Sequence, residues 1–178
     1  MGQNTKCLER LTVNLLGGPK DINSSATAIE YFNLSKLGRA LILVLMGDGS
    51  ATTGDITVTL SQATTAAGGS DKVLNALSTG RIYSQYAADL AAYAALTTGW
   101  TEETQATADE VWTDTTSGES VGIIALEVRA EDLDVTNGFA YCGVILSATS
   151  SAKICAILVI GLDPANQSGV TGMANPLV

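Results

Sequence analysis

Apolar and polar residues alternate along much of this chain with a period of two, the spacing of a β-strand that turns one face to a core and the other to solvent. Asp55–Gln62 (DITVTLSQ) is the clearest case: Ile56, Val58 and Leu60 fall on one face, Thr57, Thr59 and Ser61 on the other. Leu11–Leu15 (LTVNL) alternates in the same way and reads as a half-buried strand; Ala28–Leu34 (AIEYFNL) does so less cleanly. Arg39–Met46 (RALILVLM) is apolar almost throughout, which predicts a strand covered on both faces. Val121–Arg129 (VGIIALEVR) predicts another strong strand, with Ile123, Ala125 and Glu127 on one face and Ile124, Leu126 and Val128 on the other.

Weaker signals fill the gaps. Lys72–Leu77 and Arg81–Tyr86 read as strands on either side of Ser78–Gly80, and Trp100–Ala106 and Glu110–Asp114 as shorter, more polar ones. Gly47–Gly54 and Thr64–Asp71 carry the small and polar residues of loops. Ala87–Leu96 (AADLAAYAAL) has the best helix propensity and forms either one or two helical turns or a connecting loop. Phe139–Ala148 and Lys153–Leu162 are apolar strands joined by Thr149–Ala152, a predicted hairpin, and Asn137-Gly138 is a favoured tight-turn pair. About eight to ten short strands with Gly, Ser and Thr turns indicate an all-β fold, an antiparallel, jelly-roll-like β-sandwich. The repeated amphipathic helices that a parallel α/β fold needs are missing. The expected organisation is an N-terminal arm over 1–25, a sandwich domain over 26–162 and an extended C-terminal tail over 163–178.

Composition narrows the function. Only 15% of the residues are charged and none is histidine. Charge this sparse suggests that much of the surface meets other protein. The formal charge of −9 repels phosphate, so no direct nucleic-acid partner is expected. The excess sits in the middle: Asp89–Asp134 holds eleven acidic residues and one basic, whereas Met1–Ala40 holds five basic and three acidic. The apolar runs Ala40–Met46 and Ile154–Leu162 are too short to span a bilayer, and Met1–Arg10 has no apolar signal core, so no membrane partner is expected and synthesis is expected in the cytoplasm.

Candidate chemistry is thin. Without histidine the commonest general base is lost, and with it the usual Ser-His-Asp and Cys-His arrangements. The carboxylate pairs Glu102/Glu103, Asp109/Glu110 and Asp132/Asp134 lie in polar stretches and read as solvated surface, so no catalytic residue and no enzyme activity are expected. Asp48 and Asp55, and the cluster Glu131, Asp132 and Asp134, offer oxygen ligands for calcium, but neither has the calcium-loop spacing, so no metal and no cofactor are expected. Gly47-Asp48-Gly49 lacks the following Lys-Ser/Thr and helix of a phosphate loop. Cys142 and Cys155 lie in apolar runs and read as core; with Cys7 they are too scattered for a disulfide framework or zinc site. Tyr83, Tyr86, Tyr93, Trp100 and Trp112 read as core or interface packing in preference to a stacking platform.

Three stretches carry a family likeness: Gly47–Thr64 (GDGSATTGDITVTLSQAT), Ser70–Tyr83 (SDKVLNALSTGRIY) and above all Val121–Ala148 (VGIIALEVRAEDLDVTNGFAYCGVILSA). Together they resemble small structural proteins of tailed bacteriophages, similar in pattern to head decoration (cement) proteins, over roughly Ala26–Leu162. Glu127–Phe139 is the most specific part. The resemblance implies a virion component on the head surface, a jelly-roll-like domain that binds the major capsid protein and itself as a homodimer or homotrimer. It brings no functional residues with it. Alternatives are a tail-tube or head–tail connector subunit, and a receptor- or carbohydrate-binding sandwich at the tail tip. For capsid contact the sequence nominates the polar arm Met1–Lys20, with Lys6, Arg10 and Lys20 facing shell carboxylates.

Overall fold

Alternating strands with one apolar face must pair edge to edge and then close that face against a second sheet. In the computed structural model they do so in a six-stranded and a five-stranded antiparallel sheet. It describes residues 11–23, 30–49, 56–74, 77, 80–87, 90–94, 99–105, 112–113, 121–147, 149 and 152–164. The strands are β1 (Leu11–Asp21), β2 (Glu30–Asn33), β3 (Leu37–Gly49), β4 (Thr57–Ala63), β5 (Lys72–Val73), β6 (Ile82–Ala87), β7 (Thr101–Glu103), β8 (Trp112–Thr113), β9 (Val121–Arg129), β10 (Tyr141–Leu146) and β11 (Lys153–Pro164). A single short helix, α1 (Leu90–Ala94), is described between β6 and β7. It takes five residues of the alanine-rich stretch, as expected where helix nucleation is costly and little packing supports it.

The larger sheet runs β1-β11-β3-β9-β6-β7 and the smaller β2-β10-β4-β5, with β8 also on β4. The pairing is nested: β1 with β11, β2 with β10, β3 with β9 and β4 with β5. With β11 on β3 and β10 on β4, this is the wrapped connectivity of a jelly roll. The all-β sandwich read from the sequence is therefore the fold. One apolar cluster lies between the sheets, drawing Ile42, Val44, Ile124, Leu126 and Val159 from the larger and Phe32, Val58, Leu60, Cys142 and Val144 from the smaller. Each large apolar side chain so buried contributes roughly 1.5–3 kcal/mol.

The structure corrects three expectations and refines a fourth. Phe139–Ala148 and Lys153–Leu162 do not form a hairpin, because β10 and β11 lie in opposite sheets and the chain crosses between them. The stretch expected as an arm supplies β1, which pairs with β11 from Leu11↔Leu162 to Asp21↔Ile154; residues 1–10 and 165–178 lie outside the described residues. Asn137-Gly138 does lie in a tight turn, but of 3-10 type where that pair favours a two-residue hairpin loop: Gly138, at φ 82, caps the turn over Val135–Asn137. β3 is covered on one face only: Ala40, Ile42, Val44 and Met46 are buried, while Leu41, Leu43 and Leu45 stay half-exposed.

Candidate interaction surface

The half-exposed leucines of β3 are one column of a continuous apolar surface. Residues paired across an antiparallel ladder share a face. The register therefore gives a row Leu15–Leu158–Leu43–Ala125, a second row Val13–Ile160–Leu41 and a third Ala156–Leu45–Ile123. All point away from the core, on the outer face of the larger sheet. At its margin on the β1 side, Val13, Leu15 and Ile154 are 48%, 54% and 56% exposed. A monomeric domain usually covers such a face with charge and hydroxyls; here aliphatic side chains occupy it from β1 to β3 and reach β9 at Ala125 and Ile123, with Glu127 ending the second row beside Leu41.

β1 makes the point sharply, because its alternation is inverted. Its apolar set, Leu11, Val13 and Leu15, looks outward, and its polar set, Thr12 and Asn14, looks inward. Thr12 is buried, and both Thr12 Oγ1 and Asn14 Nδ2 are buried atoms without a hydrogen-bond partner. The sequence expectation of a half-buried strand over Leu11–Leu15 holds, and the structure adds its facing. Leu16, at the register shift between Leu15 and Gly17, is the next inward position and is buried in the core.

The acidic stretch after β9 has a different job. Arg129 N–H donates to Asp132 Oδ2 at 2.7 Å, and Arg81 Nη1 donates to the same oxygen at 2.6 Å. Lys72 Nζ donates to Asp134 Oδ2 at 2.5 Å and stands 4.3 Å from the centre of the Phe139 ring. Asn137 Nδ2 donates to Asp134 as well, and Gln62 Oε1 accepts from Asp134 N–H at 2.8 Å. Lys72, first, and Asn137 hold the Asp134 carboxyl below the usual carboxylate range. Arg129 is held above its ordinary value by its bonds to Glu127 and Glu131. Arg81 leads into the larger sheet and Lys72 lies in the smaller, so these carboxylates clasp one end of the sandwich. Among the described residues no group of three His, Cys, Asp or Glu side chains is placed to hold a metal. Asp55 lies outside the described residues, as does the side chain of Asp48.

Two shallow hollows flank the clasp. One of about 410 Å³ is lined by Ala130, Leu133, Val135 and Phe139, with Glu131 as its one carboxylate. The other, about 290 Å³, is bordered by Lys72, Asp132 and Asp134, whose charges are already paired. Neither brings two unpaired acids together.

Of the residues nominated for capsid contact, Lys20 is exposed on β1, and Lys6 and Arg10 lie outside the described residues. Trp112 is buried and packs edge-on against Tyr86 at 5.8 Å, while Trp100 and Tyr83 are exposed. Cys142 and Cys155 are buried free thiols. Burial, with the nearby Asp132 charge, pushes Cys142 up to about 12, and burial pushes Cys155 to about 11. Cys7 lies outside the described residues. The sequence did not mark the outer face as a surface, although the signal was there: Arg39–Met46 and Lys153–Leu162 are apolar at odd and even positions alike. Comparison with protein-family models, with curated proteins and with solved structures finds no match.

Proposed function

We propose that this chain is a non-enzymatic structural protein of a tailed-phage particle, a decoration protein that binds the head shell and strengthens it. The observation that carries this is the aliphatic outer face of the larger sheet. A chain that leaves Val13, Leu15 and Ile154 exposed beside partly exposed Leu158, Leu43 and Ile160, and turns two polar side chains inward to do so, is built to be covered by protein. The tailed-phage assignment comes from the likeness of Glu127–Phe139, and the structure gives that stretch a scaffolding role in the clasp, in keeping with a structural family. The acidic charge, −9, favours protein partners over nucleic acid. The partners are the major capsid protein and further copies of this chain, with exposed Lys20 on the shell side.

Quantitative mass spectrometry of purified virions tests this. Decoration of a symmetric shell requires copies on the order of hundreds per particle. Copies on the order of a dozen would move the protein to the tail tube or connector, and its absence from the particle would overturn the reading. A glycan-binding role at the tail tip would rest on exposed Trp100 and Tyr83, since Trp112 belongs to the core.

A further inference from the structure

We infer that the outer face of the larger sheet is the interface of a two-fold dimer, its occupant the same face of a second copy of this chain. This rests on the reading of the protein as an assembly subunit and names which subunit covers the face.

Area is the first support. From Ile154 to Leu162 the surface runs about 30 Å along β11, and the four strands β1, β11, β3 and β9 span roughly 15–19 Å. The flat footprint is therefore on the order of 500 Å², and the corrugated accessible area is larger. Two copies together bury somewhat more than ~1,000 Å², close to the lower bound of specific, stable interfaces at ~1,200 Å².

Charge is the second. Two chains of −9 repel wherever their acidic surfaces meet. The outer face is where they do not: its aliphatic centre carries no charge, and at its margins Glu127, which ends the second row beside Leu41, and Asp21 balance Arg39 and Arg129. A neutral aliphatic surface complements a copy of itself, the condition for an isologous contact.

The third support is geometric. Twisted sheets pack face to face about 10 Å apart with strands some 30° off parallel, and alternating aliphatic rows interdigitate in that arrangement. Val13 and Leu15 extend the rows across β1, and the inward Thr12 and Asn14 are what that extension costs the fold. Lys20, beyond the bulge at Gly17, stays at the margin and free for the shell.

Sedimentation equilibrium of the full chain between about 1 and 100 μM tests this. The expected species has twice the 18.3 kDa chain mass. Leu43→Lys and Ile160→Lys, each with unchanged β-type circular dichroism, are expected to raise the dissociation constant ~100-fold or more. Should either variant fail to fold, Leu158→Cys, at the centre of the face, in a Cys7→Ser background gives a second reading: a short bis-maleimide is expected to join two copies there and not through Gly99→Cys. A monomer throughout the range, a trimer, or a folded Leu43→Lys variant that still dimerises would each overturn the inference. A monomeric chain found in hundreds of copies on virions overturns the dimer and leaves the proposed function standing; a dimer absent from virions does the reverse.

Discussion

Arg81 and Asp132, 51 residues apart in sequence, meet at 2.6 Å with only 11% and 8% of their side chains exposed. The same carboxylate oxygen takes the Arg129 N–H at 2.7 Å, so one side chain fixes the exit of β9 and the entry to β6 together. Removing it leaves a largely buried guanidinium and a backbone donor unpaired. Asp132→Ala is expected to lower unfolding free energy by about 2–4 kcal/mol in urea denaturation, more than Arg81→Ala. A loss below about 0.5 kcal/mol would show that the clasp does not hold the two strands.

Gly122 sits where β9 passes β6. A Cβ there would stand 2.6 Å from Tyr86 Cα and still closer to the Gln85 carbonyl oxygen, both backbone that cannot step aside. Gly122→Ala is expected to cost about 1–3 kcal/mol and to lower the melting temperature by several degrees. Gly138→Ala meets no atoms within 4 Å but must hold φ near +82°, so its expected cost is smaller, about 1 kcal/mol. The reverse order in calorimetry would show that the β6–β9 approach is looser than described.

The two buried thiols define a pH window. Native Cys142 and Cys155 ionise near 12 and 11, above the ~8.5 of an unfolded thiol. Between those limits the folded chain keeps protons that the unfolded chain has lost. Their contribution to stability is therefore complete below about pH 8.5 and falls as pH rises toward 11–12. In the Cys7→Ser background neither thiol is expected to react with a disulfide reagent at pH 8 without denaturant, and both react in urea. Fast native labelling would contradict their burial.

Sequence pattern reached strands more readily than partners. β4 and β9 were legible because Ile56, Val58 and Leu60, and Ile124, Leu126 and Val128, repeat with period two and all prove buried. The facing of β1 was not, because alternation separates Leu11, Val13 and Leu15 from Thr12 and Asn14 without saying which set lies inside. The hairpin expected of β10 and β11 failed for a related reason: two adjacent apolar strands suit one sheet or two facing sheets equally. The outer surface emerges only with the register, when Leu43, Leu158 and Leu15 fall into one row.

Lys72 carries the second half of the clasp. Its ammonium is the largest influence holding the Asp134 carboxyl low, so the contribution of Asp134 to stability is present above its unfolded ionisation and fades as pH falls below it. Lys72→Met removes the charge and keeps much of the stem against Phe139. In carbon-detected NMR titration the Asp134 carboxyl is expected to ionise at a higher pH than in the native chain, with Asn137 still holding it below the ordinary carboxylate range. An unmoved titration would assign the shift to the Asn137 amide.

The inverted strand gives the last prediction. Thr12 buries a hydroxyl that bonds nothing, and valine has nearly the same shape without it. Thr12→Val is therefore expected to raise unfolding free energy by about 1 kcal/mol, measured at one fixed protein concentration so that association does not contribute. Val13→Thr and Leu15→Thr act on the opposite face, where the side chains are 48% and 54% exposed in the single chain. Their expected effect on the unfolding of dilute protein is within about 0.5 kcal/mol, while association at high concentration weakens. The contrast separates the two uses of one strand: interior polarity weakens the fold, and exterior aliphatic side chains serve contact. A destabilising Thr12→Val would mean that the hydroxyl finds a partner after all, and β1 would then owe its facing to the interior instead of to a neighbour.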